Sequence, residues 1–168
     1  MKAVTRHLRD DLNEIAAEVA REIAARVPAY GHVRNAAVAG PVRDALSVCA
    51  GGQDRLTALD AFRRLGAREA RAGQDVRHLE SALRAGARVL IGRTASTAAR
   101  IYPPTTEFVS VMETAFTAEK EIVTAAVEGH AEAARPTMTR RLRTLLSRPR
   151  RTGGRPARSA RSASSGAR

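Results

Sequence analysis

The larger apolar side chains between Thr5 and Val27 are Leu8, Leu12, Ile15, Val19, Ile23 and Val27, spaced 4, 3, 4, 4 and 4 apart. That is one face of a helix. Thr5 suits its cap and Pro28 its end, because the residue before a proline is biased away from helical angles. Glu14, Glu18, Glu22 and Arg26 fall on the other side as a solvated row. Residues 28–40 hold Pro28, Gly31, Asn35 and Gly40, which leaves room for a short turn at 35–39. Pro41 then fits the first position of a second helix that presents Val42, Ala45, Leu46 and Cys49 and stops at Gly51-Gly52.

A third helix is capped by Asp54, carries Leu56, Leu59, Phe62, Leu65 and Gly66, and ends at Gly73. A fourth, capped by Asp75, has the seam Val76, Leu79, Leu83, Gly86 and Leu90, continued by Thr97 and Ile101. Its 3,4 alternation is that of helices that pack along a seam. Pro103 and Pro104 end it. Thr105 opens a fifth, lined by Phe108, Met112, Ala115, Ile122 and Ala126 and running to about Ala134. No stretch alternates with period two, so the expected fold is all-α, a five-helix bundle over residues 1–134. Gly86 on the seam costs about 1 kcal/mol relative to alanine unless a neighbour needs the space. It therefore points to a close helix crossing, within the subunit or across a dimer.

Composition sharpens this picture. The 168 residues carry 29 Lys+Arg against 17 Asp+Glu, a net +12. Eleven arginines and no acid fall within 135–168, so a nearly neutral body precedes a cationic tail. Thirty-four alanines leave few large side chains for a core. Narrow helices of this kind bury little area each, and a second copy is an economical way to bury more. No apolar run approaches the roughly 20 residues of a spanning helix. Nor does the charged N-terminus read as a secretory signal, so a cytoplasmic location is expected.

The tail has an arginine, serine, proline and glycine composition that implies disorder. Met138, Leu142, Leu145 and Leu146 within it are compatible with a short helix over 137–147. Arg140, Arg141, Arg143, Arg148, Arg150, Arg151 and Arg155 would hold DNA or RNA by counterion release, without reading sequence. A small basic nucleic-acid binder is therefore the alternative to a helical regulatory module. Candidate chemistry adds little. His7 and Asp11 share a face at i,i+4 but lack a third ligand, and His78 and Glu80, two apart, diverge on a helix. His32 falls in a loop, His130 reads as solvated, and Cys49 as a small buried apolar residue. No catalytic set, cofactor site or metal site is expected, and no enzyme.

The run Arg64-Leu65-Gly66-Ala67-Arg68-Glu69-Ala70-Arg71-Ala72-Gly73, followed by Val76, Leu79, Ala82, Arg84, Gly86, Ala87, Arg88, Val89 and Leu90, resembles the N-terminal helical domain of PucR/CdaR-type bacterial transcription regulators. That domain is related to the N-terminal domain of RsbR-type stress co-antagonists. The resemblance extends more loosely over 8–134, through Val27-Pro28-Ala29-Tyr30 and Thr117-Ala118-Glu119-Lys120-Glu121. Gly73, Arg84, Gly86 and Arg88 match best, while Leu83 stands where the family usually has an aromatic. It implies a sensory or dimerising module, here without the helix-turn-helix that follows in the family. The chain is thus expected to be a stand-alone or truncated member that pairs with itself or with a related full-length regulator. Leu79, Leu83, Gly86 and Leu90 would form the seam, with Arg84 and Arg88 as polar contacts beside it.

Overall fold

The computed structural model describes residues 1–33, 35–51, 54–102 and 105–146, the side chains of Asn35 and of 136–146 excepted. Six α-helices are present in this part: α1 (Lys2–Asp10), α2 (Leu12–Arg26), α3 (Asn35–Ala50), α4 (Asp54–Arg71), α5 (Val76–Ile101) and α6 (Thr106–Leu146). A 3₁₀ turn, Pro28–Tyr30, joins α2 to α3. The all-α expectation holds, with six helices in place of five.

The extra helix comes from a break at Asp11, whose φ of −96° and ψ of 14° lie outside the helical well. Two consecutive aspartates, poor helix formers, precede the apolar run of α2. Thr5 is consequently not a cap. It lies buried inside α1, where its hydroxyl donates to the Met1 carbonyl at 3.2 Å. The second expected helix also starts earlier, at Asn35, with Pro41 inside it. Alanine-rich residues 36–39 favour helix, and burial of Val38 repays the hydrogen bond that Pro41 cannot make. The fifth expected helix does not stop near Ala134. α6 passes through that position to Leu146, so the division drawn between residues 134 and 135 lies within a helix.

Other boundaries fall where expected. Asp75 caps α5, its carboxylate accepting from the Arg77 N–H at 2.7 Å. Gly73, with φ of +78°, closes α4, as the Gln74 N–H bonds to the Glu69 carbonyl and the Gly73 N–H to the Ala70 carbonyl. This pairing satisfies the last carbonyls of the helix and needs a left-handed residue that glycine supplies freely. Val27 turns extended ahead of Pro28.

The core has two parts that meet along α5. Val4, Leu8, Ile15, Val19, Ile23 and Leu46 fill one, from α1, α2 and α3. Phe62, Leu79, Ala118, Ile122 and Ala126 fill the other, between α4, α5 and α6. Arg93 of α5 ties α2 down, reaching Glu14 at 2.5 Å and Glu18 at 2.8 Å. The closest crossing is that of α4 with α6. A methyl group at Gly66 would lie 1.9 Å from the Ala126 carbonyl oxygen, and one at Gly129 would lie 2.1 Å from that of Arg63. Here the two backbones touch. Arg55–Glu121 and Arg63–Glu128 ion pairs flank the crossing, and α4 and α6 run parallel.

Candidate functional site

Where the two parts of the core meet, the side chains do not fill the space. A cavity of about 180 Å³ lies between α2, α3, α4, α5 and α6. Its wall is almost wholly apolar: Val19 and Ile23 from α2, Val38 and Val42 from α3, Phe62 and Leu65 from α4, Leu79, Leu83, Gly86 and Leu90 from α5, and Ile122 and Val123 from α6. The abundance of alanine explains the void, since Ala37, Ala45, Ala82 and Ala87 line it where larger side chains would close it.

The polar groups of the lining are few. Pro28 starts the 3₁₀ turn that carries Tyr30 to the cavity, and the Tyr30 hydroxyl donates to Glu69 Oε2 at 2.8 Å. Burial pushes the tyrosine pKa above its ordinary value, and the hydrogen bond to Glu69 and the charge of that carboxylate raise it further. The Glu69 side chain is only 17% exposed, while Arg68, 4.0 Å away, is largely in solvent. Glu119 of α6 and Pro41 of α3 also line the space.

Because the neutral phenol is the form that donates, the pair contributes its full stability below pH about 10, the ordinary tyrosine value, and loses it as pH rises beyond. Tyr30→Phe is expected to cost about 1 kcal/mol, at the low end for a hydrogen bond to a charged group because both partners are partly solvated. It should also flatten the alkaline dependence. Urea midpoints of both proteins at about pH 9 and about pH 11 check this; a parallel loss in the two would mean the pair contributes nothing.

The residues singled out from the sequence are distributed as follows. Leu79 and Gly86 are buried within the chain, and Leu83 and Leu90 are half-buried beside the cavity. A methyl group at Gly86 would meet Val19 Cγ1 at 3.1 Å and Ile23 Cδ1 at 3.8 Å, so the close approach at this glycine is the one between α5 and α2 of the same chain. Arg84 is exposed and paired with Glu80 at 2.6 Å. Arg88 is exposed too, and lines a shallow charged groove with Glu18, Glu22, Arg93 and Arg100.

Arg140, Arg141 and Arg143 belong to the last turns of α6, their side chains outside the described residues. Arg148, Arg150, Arg151 and Arg155 lie outside them altogether. His7 donates or accepts only locally, with Nδ1 2.9 Å from the Ala3 carbonyl. His130 is not solvated as expected. It is half-buried, and its Nε2 lies 2.9 Å from the Gln74 carbonyl, which ties α6 to the turn between α4 and α5. No group of three or more His, Cys, Asp and Glu is placed to hold a metal among the described residues. Cys49 is half-buried, and burial, helped by Glu121, pushes its thiol up to about 11. No described helix is long and apolar enough to cross a membrane.

Sequence reasoning put Leu79, Leu83, Gly86 and Leu90 on one helix face but did not foresee the void beside them, nor the Tyr30–Glu69 pair, whose members are 39 residues apart. No local pattern joins them.

The described residues form an all-helical bundle around a partly open apolar space with one polar corner. The chain belongs to the PucR-like N-terminal domain family, whose profile matches residues 2–147. Neither a curated protein nor a solved structure is similar enough to match.

Proposed function

We propose that this chain is a non-catalytic regulatory module of a PucR-type transcription regulator, sensing a small molecule in its core and pairing with a second copy or with a related full-length regulator. The observation that carries the reading is the family match, which spans all six helices. The cavity supports the sensory half, because a preformed apolar space with few polar groups is what small-ligand sites look like.

The pairing half draws on α6. Val109 and Phe116 are both 54% exposed. Seven residues apart, they fall on one side of the helix to within about 20°. Since α5 turns Leu79 and Gly86 into the interior, this stripe of α6 is offered as the apolar surface for a partner.

Sedimentation of the whole chain at tens of micromolar is expected to show a dimer. Phe116→Glu should weaken association by about tenfold or more, by placing a charge in a surface that must lose its water. The side chain is exposed, so the helical circular dichroism should not change. A monomeric parent protein, or a variant that associates as well as the parent, would remove the pairing half.

A further inference from the structure

The lining of the cavity discriminates between kinds of small molecule. Its volume, about 180 Å³, is close to the roughly 150 Å³ of an apolar cavity that holds benzene and below the roughly 300 Å³ at which drug-sized sites begin. One ring or a short branched chain fits within it.

The polar corner is acceptor-rich. Glu69 stands at this corner with Arg68, whose side chain is 70% exposed. Glu119 lines the space from the other end, since α6 runs parallel to α4 and Glu121, two residues on, pairs with Arg55. Glu69 takes its one close hydrogen bond from Tyr30 through Oε2, while its Oε1 lies 4.0 Å from Arg68, beyond hydrogen-bond length. Pro41, with no N–H, cannot donate to the Ala37 carbonyl, and both residues line the space. A ligand head that donates protons finds partners here. An anionic head would meet the Glu69 carboxylate, which is only 17% exposed.

We infer that the cavity binds a small apolar amine: a single ring or short hydrocarbon body inside, with a protonated nitrogen donating to Glu69 at the polar corner. This rests on the sensory half of the proposed function and names its ligand class. The hydrocarbon supplies affinity by leaving water, and the charge-assisted hydrogen bond to a mostly buried carboxylate supplies selectivity.

The test uses the full chain and three probes of one shape: benzylamine, toluene and phenylacetate, titrated by calorimetry. Benzylamine should bind about tenfold or more tighter than either of the others. Glu69→Gln, which keeps an acceptor for Tyr30 but no charge, should bring benzylamine to within about threefold of toluene. Tyr30→Phe, which keeps the carboxylate, should retain the preference. Ala87→Phe, which fills the space, should lower the binding of all three. Equal binding of benzylamine and toluene, tighter binding of phenylacetate, or no binding of any probe would each overturn the inference. Binding of toluene or phenylacetate that Ala87→Phe removes would overturn the amine class and leave the sensory half standing, whereas no binding of any probe would count against both.

Discussion

Gly66→Ala is expected to destabilise the fold by about 3 kcal/mol, and Gly129→Ala by a similar amount. Both are mid-helix, where alanine would ordinarily gain about 1 kcal/mol in helix propensity. The gain is outweighed because the new methyl would sit 1.9 Å from the Ala126 carbonyl oxygen in the first case and 2.1 Å from the Arg63 carbonyl oxygen in the second. Backbone cannot swing aside as a side chain can, so α4 and α6 must separate, and overpacking of this kind lies at or above the top of the usual 1–3 kcal/mol range.

Gly86→Ala supplies the contrast. Its nearest neighbour is the methyl of Val19 at 3.1 Å. That side chain can give a few tenths of an ångström beside an empty cavity, so propensity and crowding nearly cancel. Thermal unfolding should show a fall of about 6–12 °C for either α4–α6 variant and little change for Gly86→Ala. A Gly66→Ala protein as stable as the parent would refute the backbone contact. The two substitutions share one crossing, so the double variant should cost less than their sum.

Phe62→Ala is expected to cost about 3–5 kcal/mol, the largest loss from any single truncation in the second part of the core. The ring is buried, with 3% exposure, and forms part of the cavity wall. In a protein with three phenylalanines and 34 alanines, the Ala58, Ala118, Ala125 and Ala126 side chains of the same cluster are too short to reach into the space it leaves. The loss therefore includes the full cavity cost as well as the lost transfer energy. Against a total of about 5–15 kcal/mol for a domain, it leaves the fold marginal. Urea unfolding measures it directly. In conditions where the variant stays folded, the enlarged space should admit probes with a second ring. A cost under about 1 kcal/mol would mean that the wall is not close-packed at Phe62.

Much of this architecture is written locally. The spacing of Leu8, Ile15, Val19 and Ile23, the Asp75 cap, Gly73 at the end of α4 and the Val27-Pro28 stop are each properties of a few neighbouring residues, and each structural boundary follows from them. The misses are equally physical. Asp10-Asp11 breaks the first helix although the apolar stripe runs straight through, because stripe periodicity reports which face is buried and not whether the chain is continuous. Pro41 is carried inside α3 because tertiary burial of Val38 offsets a weak local signal, and His130 reaches a carbonyl 56 residues away in the chain.

The sequence by itself therefore determined an all-helical chain, the faces its helices bury and the concentration of positive charge beyond residue 134. Tertiary structure decided where two helices come close enough to need glycine, at Gly66 and Gly129, whereas Gly86 meets only side chains that can yield. It also decided that the alanines surround a void and that Tyr30 meets Glu69 at its edge. Periodicity and capping are short-range properties of one strand of residues, whereas contact, cavity volume and charge pairing depend on how separate helices cross, and no single segment contains that information.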